Sequence, residues 1–295
     1  MTVKHLSTEQ RQHLISGYVD RMPSLSTTVT KVLEVCNSPS AAPNDLNRVI
    51  ALDPVLTGQV LKLINSAYYS MPNQITSLTR AIIMLGINTV KNLALSTAVI
   101  GTIAKSDSFK SLPMDAFWTH SICVGVTAKA LAEFRGVKIS EREEYFVAGM
   151  LHDLGKIPLN NCFPKEYKQA LELADLEQGP LRRAETMVMG LDHCLAGRLI
   201  GEKWQLTQNL VEILSHHHKP EEASANYREL VATVSLANCY ANVYEFGSAG
   251  DHFQDSASLY DSLKLMGMSW ADLANIKDKV ESEIAKAQVF LQIAK

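Results

Sequence analysis

The sequence predicts an all-α protein built as two packed helical lobes. Three observations predict it. Apolar residues recur at three- and four-residue spacing over most of the 295 residues, no alternating strand pattern of any length appears, and Pro, Gly, Ser, Asp and Asn fall where the periods begin and end. A polar break at Lys105-Ser106-Asp107-Ser108 divides the chain into residues 1–105 and 106–295. The break is too short for a flexible tether, so the lobes are expected to pack together.

In the first lobe, Leu6 to Gly17 forms an amphipathic entry helix. Met22-Pro23-Ser24-Leu25 then leads into a helix from Thr27 to Cys36, with Val29, Val32, Leu33 and Cys36 on one face, and Asn37-Ser38-Pro39 turns the chain. Asn44 or Asp45 caps a helix through Leu52. Asp53-Pro54 caps and starts the next, which runs to Ile64, because proline is tolerated at the first helical position. A loop over Asn65-Ser66-Ala67-Tyr68-Tyr69-Ser70 follows. Ile75 to Leu85 and Ile87 to Ile103 are helical on either side of Gly86.

In the second lobe, Met114 to Phe134 is a long helix carrying His120. Ser140, with Glu143 three residues later, reads as a capping box for a mostly apolar helix that delivers His152 and Asp153 side by side before Gly155 and Pro158 stop it. Helices are expected over Tyr167–Glu177, from Leu181 to about Trp204 with His193 and Gly197, and from Leu206 to Leu214 before His216-His217-His218. Later helices run from Tyr227 to Tyr244, Ala257 to Leu265, and about Trp270 to Ile293.

Composition narrows the function classes. A hydrophobic content of 46 % is ample for a large core. Lys and Arg number 28 against 31 Asp and Glu, a net charge of −3 with no basic block, so nucleic acid is not expected as a ligand. Five cysteines, widely spaced and never in a Cys-x-x-Cys arrangement, read as buried reduced thiols. With no apolar leader and no apolar run of about 20 residues, the expectation is a soluble cytoplasmic protein without a membrane partner.

Six of the nine histidines lie on the second lobe's helices. Each alone reads as a core histidine held by a hydrogen bond. Together with Asp153 they suit a first-row divalent metal such as Fe, Mn or Zn, since helices of a bundle bring such ligands to one point.

Residues 20 to about 105 resemble the HDOD domain family, the degenerate relatives of HD-domain phosphohydrolases in bacterial signalling proteins. The resemblance is carried by Met22-Pro23-Ser24-Leu25, Asp53-Pro54 with Leu61, Asn65-Ser66-Ala67-Tyr68-Tyr69, Ile75, Ser77, Ala81-Ile82, Leu85-Gly86 and Val90-Leu93-Ala94-Leu95. It extends to about residue 220 with the second lobe, which then resembles an HD-domain helical bundle. The order His120, His152-Asp153, His193, His216-His217 resembles the ligand order of catalytic HD domains. The resemblance implies two metal ions bridged by Asp153, with the histidines at 120, 152, 193, 216 and 217 completing their shells. It also implies that Lys156 contacts a phosphate or the water nucleophile. Gly197 would admit another helix, and Asp192 could orient a ligating imidazole, with a solvated carboxylate as the plainer alternative.

Two positions depart from the catalytic pattern. Asn238 stands where those domains place a final aspartate, and His217-His218-Lys219-Pro220-Glu221-Glu222 replaces the Gly-Tyr-Pro signature of the cyclic-dinucleotide branch. The leading expectation is therefore a signalling or regulatory protein with a retained His/Asp metal site, acting by binding a protein partner or a nucleotide. The alternative is a metal-dependent phosphohydrolase acting on a nucleotide or cyclic dinucleotide, with Asp153 and Lys156 as its catalytic groups. The family match starts almost at Met1, so any input is expected from a separate partner or a diffusible ligand.

Overall fold

A computed structural model describes residues 6–38, 42–104, 111–253 and 255–294; the expected break at Lys105–Ser108 and the Pro39 of the first turn lie outside them. Within these residues the chain is helical throughout, with no strand. The first set is α1 (Thr8–Arg21), α2 (Thr27–Asn37), α3 (Pro43–Ile50), α4 (Pro54–Ile64), α5 (Leu78–Leu85) and α6 (Ile87–Ala104). Local chemistry starts several of them. Asp53 accepts a hydrogen bond from the Leu56 amide at 2.9 Å ahead of Pro54, and Ser77 accepts one from Arg80. Asp45 sits inside α3, and its carboxylate reaches back to the Ala42 amide at 3.1 Å.

The second set is α7 (Met114–Phe134), α8 (Arg142–Leu151), α9 (Lys156–Cys162), α10 (Pro164–Glu177), α11 (Leu181–Met189), α12 (His193–Lys203), α13 (Gln208–His216), α14 (Arg228–Val243), α15 (Ser256–Met266), α16 (Trp270–Asn275), α17 (Lys277–Ala287) and α18 (Val289–Ala294). α7 is buried on nearly every face and packs on α8, α14 and α17. The chain's ends cross over: α1 packs on α9 and α12, and α18 on α4 and α6. One continuous apolar cluster runs through both sets. No single helix among the described residues is long and apolar enough to cross a membrane.

Three expected helices are broken. Leu181–Trp204 divides at Gly190, which takes a left-handed conformation (φ 72°), and Asp192 restarts the helix by accepting from the Leu195 amide at 3.1 Å. The helix entering His152-Asp153 ends at Leu151. Pro158 does not stop it; it lies in the first turn of α9, where no intrahelical amide is needed. The final helix is three shorter ones. The Ser140 capping box is absent too. α8 begins at Arg142 without a side-chain cap, and Glu143 is buried against Lys129 at 2.7 Å and the Tyr69 hydroxyl at 2.6 Å.

Glycines set the closest helix approaches. A Cβ at Gly149 would lie 2.8 Å from the backbone of Gly125 and Val124, and one at Gly125 would lie 2.6 Å from the Phe146 carbonyl oxygen. These contacts let α7 and α8 cross nearly backbone to backbone. The Gly149→Ala substitution is therefore expected to cost about 1–3 kcal/mol by overpacking, read as a lower denaturation midpoint in urea.

Candidate metal centre

The Asp153 carboxylate is the hub of the second set of helices. It is fully buried, in the turn between α8 and α9, and four imidazoles point at it. His152 Nε2 is 3.3 Å and His120 Nε2 3.8 Å from Oδ2, while His193 Nε2 and His217 Nε2 are each 3.5 Å from Oδ1. The Lys156 ammonium, one turn on, is 2.7 Å from Oδ2.

Each imidazole is delivered by a different local device. His120 projects from α7 five residues before the close approach to α8 at Gly125, and its ring centroid is 5.6 Å from that of His152. His152 sits at the C-terminal end of α8, with Nδ1 2.6 Å from the Gly149 carbonyl oxygen. His193 opens α12. It comes within reach because Gly155 lies against that helix turn: a Cβ there would fall 1.8 Å from the His193 carbonyl oxygen and 2.5 Å from the Gly197 amide. Gly197 is itself tight against α13, its missing Cβ 3.1 Å from the Leu214 carbonyl oxygen. His217 follows α13, with Nδ1 2.9 Å from the Ile213 carbonyl oxygen.

These contacts assign the tautomers. A ring nitrogen facing a carbonyl oxygen must carry the proton, so His152 and His217 turn deprotonated Nε2 lone pairs inward. His193 Nδ1 lies 2.6 Å from Glu185 Oε2, which also accepts from the His193 amide at 3.0 Å. Its Nε2 then lies 3.2 Å from His217 Nε2 and 3.0 Å from His218 Nε2. Lone pairs this close in a dry interior repel unless a metal cation or a proton lies between them. His120 makes no hydrogen bond with either ring nitrogen, and His152 makes none with Nε2. The donor set therefore fits a divalent metal: neutral imidazoles around one carboxylate, with outer partners fixing the rings.

The titration behaviour agrees for His120, His217 and His218. Burial and the neighbouring His152 push His120 down to about 3, and burial brings His217 down to about 4 although Asp153 opposes it. Burial, with His217 and His193, also holds His218 well below the usual range. His193 goes the other way, because Glu185 and Cys194 outweigh burial. For Asp153, His152 and Lys156 outweigh burial and hold the carboxyl well below its ordinary value. Lys156 is raised because Asp153 and Asp251 outweigh burial.

The structure brings His120, His152, Asp153, Lys156, His193 and His217 together. It does not bring His216. That residue ends α13 with a ring 30 % exposed, 3.9 Å from Glu212, and the chain leaves the helix there, so His218 turns inward instead. Asp192 does not orient an imidazole; it caps α12 and pairs with Arg182 at 2.7 Å. Glu185, eight residues before His193, takes that part. Lys156 is enclosed: it bonds the Ala249 carbonyl oxygen at 3.0 Å and pairs with Asp251 as well as Asp153. Asn238 lines a narrow cleft with His217, His218, Asp251 and Ser258, and its Oδ1 accepts from Asn242. Sequence reasoning missed Glu185 and Asp251. Neither stands in a motif, and only the break at Gly190 and the loop after α14 place them here.

Comparison with known proteins follows the same outline. The family model described as "HDOD domain" matches residues 22–220. The fold is similar to the crystal structure of an HDOD domain protein with unknown function from Geobacter sulfurreducens, 24 % identical, with a TM-score of 0.76, 96 % of this chain and 99 % of that one covered. It is also similar to a candidate phosphohydrolase from Shewanella amazonensis SB2B, 23 % identical, with a TM-score of 0.70 and coverage of 94 % and 98 %. At these identities the likeness is one of fold. An uncharacterized protein of Treponema pallidum (strain Nichols) is 23 % identical over 224 residues, 76 % of this chain; the match spans 43 % of that relative's length.

Glu185→Gln is expected to weaken metal binding about 10–100-fold, as loss of an outer partner does, in competition with a chromophoric chelator. Asp192→Ala should leave metal affinity unchanged and cost about 0.5–2 kcal/mol of unfolding free energy.

Proposed function

The chain belongs to the HDOD domain family, and from that premise we propose that it is a signalling or regulatory protein of the cytoplasm. In this reading the His/Asp centre holds divalent metal, two ions of Fe, Mn or Zn, and the output is binding of a partner protein or a nucleotide. Burial carries the reading. His120, His152, Asp153, Lys156, His193 and His217 are each no more than 1 % exposed. Catalytic metal sites keep a position open to water and substrate, whereas structural ones are closed. Lys156, the cation best placed to meet a phosphate, is already committed to Asp153, Asp251 and a carbonyl oxygen.

The narrow cleft beside His217, His218 and Asn238 favours a second reading, a phosphohydrolase acting on a nucleotide or cyclic dinucleotide. Bound divalent ions would supply Lewis-acid polarisation of a phosphoryl oxygen and an acidified water. The chain's part would be for Asp153 and the imidazoles to hold those ions, and for Lys156 to balance the buried carboxylates. A neutral amide at Asn238 would hold a cation less strongly than a carboxylate.

Metal analysis of protein purified without a polyhistidine tag tests the shared premise. About one or more ions per chain is expected for such a donor set; a negligible content even after growth with added Fe or Mn would remove both readings. Metal-loaded protein is expected to leave a generic phosphodiester at the background rate. Turnover that Asp153→Ala abolishes would hand the lead to the hydrolase.

A further inference from the structure

Beside the Asp153 hub lies a buried nucleophile to which the centre described so far gives no part. Cys194 follows His193 in the first turn of α12, and its side chain is 5 % exposed. Its sulfur and one ring nitrogen from each of His193, His217 and His218 form a group of four donor atoms, all within 4.8 Å of one another. The other donor group among the described residues, His120, His152 and Asp153, contains no sulfur.

The spacing suits a small tetrahedral ion. Nitrogen ligands at about 2.0–2.1 Å from such a cation lie about 3.3–3.4 Å apart. His193 Nε2 is 3.2 Å from His217 Nε2 and 3.0 Å from His218 Nε2, slightly closer than that. His218 adds a further argument. Its ring is turned inward, tilted 46° to that of His217 with the centroids 4.3 Å apart, so three imidazole edges converge on one place.

We propose that His193, His217, His218 and Cys194 form a three-nitrogen, one-sulfur site for a thiophilic divalent cation, zinc foremost. The proposal rests on the metal-binding reading above and deepens it. The two sides of the centre then differ in chemistry: a carboxylate with His120 and His152 on one side, a thiolate with three imidazoles on the other. Binding breaks the S–H bond, forms a sulfur–metal bond and releases the proton to solvent, with no change of oxidation state. A thiolate among imidazoles favours Zn and Co over Mn and Mg, which prefer oxygen. Asp153 Oδ1, 3.5 Å from both His193 Nε2 and His217 Nε2, borders this four-donor site from the carboxylate side.

Cobalt(II) titrated into the metal-free, untagged full-length protein reads the ligands directly. Wild type is expected to develop both visible d–d bands and a near-ultraviolet sulfur-to-cobalt charge-transfer band. Cys194→Ser should keep the visible bands, lose the near-ultraviolet band and bind zinc about tenfold or more less tightly, with manganese affinity unchanged. Cobalt bound with visible bands but no sulfur band in wild type, or a sulfur band that survives Cys194→Ser, overturns this site and leaves the metal reading standing. Failure of wild type to bind cobalt at all overturns both. The wild-type spectrum decides by itself if the variant does not fold.

Discussion

A single carboxylate placed out of reach of water constrains the rest of this molecule. Asp153 has one near-contact ion partner, Lys156, and that ammonium is shared with Asp251. As neutral rings with the proton on Nδ1, the imidazoles around it have none left to donate. His152 and His217 spend their Nδ1 protons on carbonyl oxygens, and His193 turns Nδ1 to Glu185. What remains is a shell of lone pairs facing a negative charge. Burying such a shell would cost several kcal/mol unless a cation occupies its middle, and the donor types are those that first-row divalent metals take.

Building that shell requires helices closer than ordinary side chains permit. Gly125 and Gly149 let α7 and α8 approach until His120 and His152 are neighbours, and Gly155 lets the turn after Asp153 lie against the start of α12. The break at Gly190 has the same purpose. It frees His193 to begin a new helix and places Glu185 of the preceding helix behind its ring. A continuous helix across 181–204 would put residues 185 and 193 more than two turns, about 12 Å, apart along one axis.

This explains which parts were legible in the sequence. Helices whose ends carry their own chemistry could be read closely, Thr27 onward and Asp53-Pro54 into α4, as could α7 from its long apolar period. So could the donor residues on or beside regular helix that meet at the centre, His120, His152, Asp153 and His193. Elements decided by tertiary contact could not. Glu143 has the spacing of a capping-box residue, yet it serves a buried ion pair with Lys129 from another helix. The choice between His216 and His218 depends on where α13 stops; beyond that point a side chain's direction no longer follows the helical period. Glu185 and Asp251 are ordinary surface-type residues in sequence, made central only by a left-handed glycine and a loop.

The Glu143 pair also ties the buried centre to the first set of helices. Lys129 lies nine residues beyond His120 on α7, and His152 lies nine residues beyond Glu143, so each span is about 13 Å of rigid or nearly rigid helix. The two helices run antiparallel, with the histidines meeting at one end and Lys129 and Glu143 at the other. There the pair meets Tyr68 and Tyr69, between α4 and α5: the ammonium donates to Tyr68 at 3.2 Å and the carboxylate accepts from Tyr69 at 2.6 Å. The backbone contact of Gly149 on Gly125 lies between the two ends. A change at the centre that moved His120 relative to His152 would have to be taken up along these rods, because close-packed interiors do not absorb strain locally. At their far end the Lys129–Glu143 pair carries polar contacts to Tyr68 and Tyr69, so a buried centre need not be open to solvent to be felt beyond the helices that hold it.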